Sequence, residues 1–342
     1  MRLGLLTGYF GPDIRIDYDL ILEAERLGFD SVWTSEAYGC DAIVPLAFIA
    51  AKTTTIGLGT AIIQMPARTP AMAAMTAMTL DRLSGGRFRL GIGPSGPQVV
   101  EGWHGVAYGR PLTRTREYVS IVRKILARED RLEHQGYHYQ IPYTGEGATG
   151  LGKPLKSILH GRADMKIYTA AITLKGLACS GEVADGVFPV WMDPGKPEAL
   201  VPYIEEGIAK SGGAKKMHDF DIAPFVTCIV GDDLDACRMP VKGMLALYIG
   251  GMGARGKNFY TDYATRLGYE EAAIKIQDLY LDGKKGEAMA AVPDELADSI
   301  SLIGTPDRIA DRVQAWKDSA ATTLLLGAQQ PEAIRLLAEL AL

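Results

Sequence analysis

The residues from Thr55 to Gly96, TIGLGTAIIQMPARTPAMAAMTAMTLDRLSGGRFRLGIGPSG, constrain the fold more than any other stretch of the chain. Thr55 to Ile63 is a run of β-branched and small residues suited to a strand buried on both faces. Pro66 removes a backbone donor and biases Met65 away from the α region, so Gln64 to Arg68 continues neither as strand nor as helix. Thr69 then supplies an N-cap, Pro70 a first helical residue, and Gly85-Gly86 a stop. Arg87 to Ile92 returns as a parallel strand and completes a βαβ unit. The loop beyond it carries Gly91-x-Gly93-x-x-Gly96, but Pro94, Pro97 and Gly102 are expected to interrupt the helix that a dinucleotide fingerprint opens at its third glycine. A Rossmann reading is therefore set aside. The glycines still allow close approach to the backbone at a strand's C-terminal end.

The same alternation runs along the rest of the chain. Strand-like runs fall at Arg2 to Gly8, Ser31 to Thr34, Ile167 to Ala171, Gly186 to Pro189, Asp221 to Val230 and Thr322 to Leu326, separated by helical runs such as Asp17 to Leu27, Asp41 to Ala51, Thr113 to Ala127 and Thr173 to Ala184. With the two strands of the opening unit, eight strands each followed by a helix predict an α/β fold, the (β/α)8 TIM barrel. Residues 231–320, between the seventh and eighth strands, read as a mainly helical insertion, and 1–342 reads as a single domain. A doubly wound sheet would need a second domain boundary, and no linker is visible. Barrels bind ligands at the C-terminal ends of their strands, which points to Gly8, Glu36, Ala61 to Gln64, Gly93 to Gly96, Ala170 to Thr173 and Pro189 to Met192.

Composition narrows the function classes. A chain of 342 residues, 47% hydrophobic, can bury a large core. Its net charge of -5 is scattered and forms no basic stripe, so nucleic acid is a poor partner. No apolar run reaches a membrane span, and MRLGLLTG passes straight into a strand pattern, so a cytoplasmic protein with no membrane partner is expected. The four cysteines, Cys40, Cys179, Cys228 and Cys237, lack C-x-x-C spacing and read as buried or free thiols. His134 and His138 are four apart, but Gly136 and β-rich surroundings argue against one helical face, and no metal site is expected.

The stretches TSEAYG (34–39), IIQMPARTPAMAAMTAMTLDRLSGGRFRLGIGPSGPQVVEGWHG (62–105), EVADG (182–186), ALYIGGMG (246–253) and GTPDRIADRV (304–313) resemble the luciferase-like monooxygenase superfamily, most closely its branch dependent on the deazaflavin coenzyme F420. The resemblance implies a bacterial-luciferase-like barrel that binds F420 or flavin mononucleotide (FMN) at its C-terminal mouth and commonly dimerises. It implies a non-prolyl cis peptide near Ala61-Ile62 supporting one face of the ring system; Gly8, Gln64, Gly93, Ser95 and Gly96, as strand-exit residues, are the further candidate cofactor contacts. It also implies a phosphate site at the fifth strand's exit, Ala170-Ala171-Ile172-Thr173. The Gly-Pro turn found there in relatives is absent, but Thr173 can still cap a helix whose free amides face an anion. Relatives using the deazaflavin close the second strand with an acid, often followed by histidine; here Glu36 is followed by Ala37, so a histidine proton donor at that place is excluded.

Glu36 and His104 are the candidate catalytic residues. A strand-exit carboxylate faces the ligand in a barrel, whereas the plainer reading of Glu36 is a helix cap or an arginine partner. His104, in Glu101-Gly102-Trp103-His104-Gly105, lies on a loop that overhangs the mouth, as acid, as substrate contact or merely solvated. Met72, Met75 and Met78 are most simply core filler, and Trp103 and Trp191 either wall the pocket or pack. These features together predict an oxidoreductase moving a hydride between F420 and a small organic substrate. Two alternatives stay open: a two-component FMN monooxygenase served by a separate flavin reductase, and a non-catalytic flavin-binding barrel.

Overall fold

The computed structural model describes residues 1–342. Its strands are β1 (Arg2–Leu6), β2 (Ser31–Thr34), β3 (Gly57–Thr60), β4 (Ile63–Gln64), β5 (Phe88–Gly93), β6 (His134–Gln135), β7 (Gln140–Ile141), β8 (Ile167–Ala170), β9 (Gly186–Phe188), β10 (Asp221–Ile222), β11 (Phe225–Val230), β12 (Ser301–Gly304) and β13 (Thr323–Gly327). Apart from the β6–β7 hairpin, they form one 11-stranded sheet in the order β10-β9-β8-β5-β3-β2-β1-β13-β11-β12, with β4 added against β5. All its pairings are parallel, as strand-helix-strand crossovers require. The sheet curls until one stretch of chain touches both of its sides: β10 pairs with β9 while β11 pairs with β13. Pro224 separates these two strands, and its carbonyl accepts from Leu325 N at 2.9 Å.

The reading of Asp221 to Val230 as one strand is thus corrected to two. Residues 231–320 are mostly helices, and one strand not expected there, β12, lies among them and pairs with β11 along Thr227–Val230. A further correction concerns Pro97. It does not break a helix but occupies the first position of a six-residue one, Pro97–Gly102, where its missing N–H is no loss. Elsewhere the local signals hold: Asp17, Thr69 and Thr173 cap their helices by accepting from Leu20, Met72 and Gly176 N. No helix is long and apolar enough to cross a membrane.

Inside the curl, Trp33, Tyr168, Phe188 and Leu325 pack as one buried cluster. Tyr168 stacks on Phe188 at 5.1 Å, and Trp33 meets Phe188 edge-on at 5.2 Å. Gly59 makes room for this, since a Cβ there would lie 2.2 Å from two Trp33 ring atoms. Towards the N-terminal ends of the strands the interior turns charged. Asp221 accepts from Tyr168 Oη at 2.8 Å and pairs with Arg2 at 3.0 Å, and Asp30 pairs with Arg89. These groups form a floor. Beneath it opens a polar cavity of about 580 Å³ bordered by Glu25, Asp30, Arg87, Arg89, Arg162 and Lys166. Arg87 spends its donors there on Ser84, Thr53, Ile56 and Ala50, so that end is tied for stability.

Candidate active site at the strand exits

The peptide bond Ala61-Ile62 is cis, where the resemblance places it. It separates β3 from β4, and the carbonyl of Ala61 accepts from Ser35 Oγ at 3.0 Å while its N–H donates to Thr34 O at 2.7 Å. Ile62 lies across Gly93: a Cβ at Gly93 would sit 2.8 Å from Ile62 Cδ1 and 3.6 Å from Ala170 Cβ. Ile62, Gly93 and Ala170 therefore form one ledge over the barrel, and only glycine fits between the other two. Ser95 beyond it has a left-handed φ of 61°, Gly96 caps the helix from Pro97, and Gly8, at φ 71°, leaves the first exit open, with nothing near its absent Cβ.

Glu36 is 8% exposed and fully engaged. It accepts from Arg68 Nη1 at 2.6 Å and Nη2 at 2.7 Å, from Gln64 N at 3.1 Å and from Ala42 N at 3.3 Å. Asp41 takes a second bond from Arg68 and caps the next helix through Ile43 and Val44 N. Both plain readings of Glu36, as helix cap and arginine partner, are thus present at the place where the second and third strands end. Gln64, 1% exposed, continues the network. Its amide donates to Ala37 O, which turns its carbonyl oxygen towards His104 Nε2 at 2.7 Å. That oxygen can only accept, so His104 carries its proton on Nε2 and leaves Nδ1 to exchange one.

At the fifth exit, Ala171, Ile172 and the cap residue Thr173 lead into the helix Leu174–Val183. Arg266 comes to this turn from 94 residues away. Its Nη2 donates to Ile172 O at 2.5 Å, its guanidinium stands 4.9 Å from the Tyr263 ring, and its Nε is buried without a partner. Burial pulls its pKa below the ordinary arginine value, against the opposing pull of Tyr263, Tyr203 and Asp262. A cation with a spare donor beside a helix N-terminus fits an anion such as a phosphate.

Other sequence candidates separate. Trp191 is 1% exposed and packs against tyrosines, whereas Trp103 is 66% exposed. Met78 is buried, but Met72 and Met75 face outwards at 51% and 53%, so the core-filler reading fails for those two. They line, with Ile43, Ala47 and Leu83, an apolar groove of about 290 Å³ between the helices Ile43–Ala50 and Pro70–Leu83. His134 lies 3.5 Å from Glu117, and His138 meets Arg110 O at 3.0 Å, both on the β6–β7 hairpin. Arg68, Ser35, Arg266 and the pairing of Asp41 with Arg68 escaped the sequence reading, because each contact joins residues distant in the chain.

The luciferase-like monooxygenase family profile matches residues 2–323. A Mycobacterium tuberculosis protein named as a coenzyme F420-dependent oxidoreductase is 42% identical over 342 residues, covering 99% of each chain. The 5,10-methylenetetrahydromethanopterin reductase of Archaeoglobus fulgidus is 28% identical, covering 93% of this chain and 91% of its own. Among solved structures, the coenzyme F420-dependent tetrahydromethanopterin reductase of Methanopyrus kandleri superposes with a TM-score of 0.79 at 24% identity, over 99% of this chain and 97% of its own.

Proposed function

We propose, from the premise that this chain belongs to the luciferase-like monooxygenase family, that it is an oxidoreductase moving a hydride between coenzyme F420 and a small organic substrate. The observation that carries the reading is the pairing, on one rim, of the ledge Ile62-Gly93-Ala170 with the cationic turn Thr173-Arg266. A ring system needs the first and its phosphate the second. The 42% identity with a relative named for F420 favours the deazaflavin over FMN. When bound, a deazaflavin supplies hydride chemistry with little reactivity towards oxygen.

The protein's own residues orient, exclude water and handle the proton. Ala61 and Ile62 support the ring, Gly8, Ser95 and Gly96 border it, and Ala171, Ile172 and Thr173 with Arg266 hold the phosphate. Gln64 fixes His104, whose Nδ1 is the site of proton exchange as hydride charge develops on the substrate. Glu36 acts through Arg68 and Gln64 as a positioning residue. The curled sheet is read as a (β/α)8 barrel in a single domain, with β10 and β11 as its seventh strand and 231–320 as an insertion. The uncharged groove at Met72 and Met75, with Val44 and Phe48 exposed beside it, suits a second copy of the chain and hence a homodimer, in the cytoplasm.

Fluorescence titration of purified protein with F420 and with FMN tests the reading. F420 is expected to bind at least about tenfold tighter, near 1.4 kcal/mol, and Arg266→Leu to weaken it. Tighter FMN binding moves the assignment to a monooxygenase fed by a separate reductase. Binding of neither leaves a barrel without this chemistry.

A further inference from the structure

Between β7 and β8, residues 142–166 form a strap without helix or strand, long for a connection inside one domain. It is nevertheless pinned. Leu132 N donates to Leu155 O at 2.7 Å, Arg128 Nε to Ser157 O at 2.7 Å, and Arg82 Nε and Nη2 to His160 O at 2.9 and 2.8 Å. Arg82 and Arg128 stand at the C-terminal ends of the helices Pro70–Leu83 and Pro111–Ala127. In a parallel strand-helix-strand unit that is the end where the next strand begins, so the strap lies at the N-terminal ends of the strands and away from their exits.

These bonds take the strap's carbonyls and leave its side chains outside. Leu151, Leu155 and Ile158 are 84%, 70% and 95% exposed. Three large aliphatic side chains so exposed within eight residues form a patch rather than a scatter. Cations surround it. Arg82 and Arg128 bond backbone carbonyls, as does Lys156 on Glu129 O at 2.7 Å, and a carbonyl leaves the charge in place. Along the two neighbouring stretches Arg128, Arg131, Lys153 and Lys156 outnumber the carboxylates Glu129 and Asp130, in a chain whose net charge is -5. The patch is thus apolar and locally positive on a negative molecule, which makes its complement an apolar surface carrying negative charge.

We propose that the strap is a peripheral contact with an anionic lipid surface, with Leu151, Leu155 and Ile158 entering the headgroup boundary and Arg131, Lys153 and Lys156 meeting lipid phosphates. Protruding side chains separated by lysines suit a fluid interface, which receives them in any register, whereas a folded partner needs a pocket for each. Such a contact requires no spanning helix, and it leaves the strand exits facing water. Co-sedimentation of the full chain with vesicles of phosphatidylglycerol and phosphatidylcholine in equal parts, and with phosphatidylcholine alone, tests it. Partition onto the anionic vesicles is expected to be at least about tenfold stronger in low salt, and to fall at least about fivefold in about 0.5 M salt as the charges are screened. Ile158→Asp is expected to weaken it at least about tenfold and Lys153→Ala about fivefold, with melting unchanged because both side chains lie in solvent. Leu155→Asp reads the same patch should Ile158→Asp fail to fold. Equal partition onto both vesicles, indifference to salt, or full partition by the folded aspartate variants overturns the proposal. Self-association that Ile158→Asp abolishes, with neither vesicle bound, also overturns it and makes the strap a contact between copies of the chain.

Discussion

Replacing Glu36 by glutamine probes the network that joins the strand exits. The amide keeps one acceptor for Gln64 N or for Arg68, but its NH2 group faces guanidinium donors and the negative charge is gone. Breaking a buried ion pair costs about 3 to 5 kcal/mol. Here the loss is moderated, because Arg68 is 18% exposed to water and retains Asp41. About 2 to 3 kcal/mol is expected, which for a chain of this size lowers the Tm by about 3 to 4 °C. A double-mutant cycle with Arg68→Gln isolates the pair, and a coupling of at least about 1.5 kcal/mol is expected for residues in direct contact. Thermal denaturation gives the stability arm, and F420 titration of the folded variant reads any shift of the ledge through Gln64. A Tm within about 1 °C of the parent, a coupling below about 0.5 kcal/mol and unchanged F420 affinity would together refute the reasoning that Glu36 is the keystone of the exits.

Three further outcomes follow from the geometry. Gly59→Ala sets a methyl against Trp33, which is fully buried and has nowhere to move, so a loss of about 3 kcal/mol is expected; wild-type melting would mean that the ring shifts. Burial alone would raise the carboxyl pKa of Glu117, but N–H donors from His138, Tyr137 and Tyr139 outweigh it and hold the value below that of an ordinary glutamate. That stabilisation is complete above the ordinary value and fades as pH falls through the lowered one, so Glu117→Gln should flatten the fall of Tm between about pH 5 and 3; an unchanged slope refutes the assignment. His104→Phe leaves the buried carbonyl oxygen of Gln64 without its donor, a loss of about 1 to 2 kcal/mol. Turnover should also fall at least about tenfold with F420 affinity held within about threefold, and full turnover would remove the proton role.

The sequence carried what is local. Thr69 and Thr173 announced their caps because a hydroxyl before a helical run satisfies an N–H three residues on, a contact within one turn. β12 was hidden because Ser301–Gly304 is only four residues long and buried throughout, which gives it no alternation to separate it from a helix end. Met72 and Met75 misled because apolar residues at helical spacing normally face inwards; in this helix Ala73, Ala74, Ala77 and Met78 do so instead. The ion pair of Glu36 with Arg68 and the approach of Arg266 to Ile172 join residues 32 and 94 positions apart, and no spacing rule reaches so far. The candidate exits were legible as places, but the side chains that tie them together were not.

The packed cluster of Trp33, Tyr168, Phe188 and Leu325, with the charged layer of Asp30, Arg89, Asp221 and Arg2 beneath it, closes the interior of the curl, so the strand exits are approached from one side. Traffic through such a mouth runs last in, first out. A molecule resting on the ledge at Ile62 and Gly93 would have to arrive before any that settles over it, and could not leave until that one had gone. Binding order is thus imposed by the closed end of the sheet, remote from every residue assigned to chemistry.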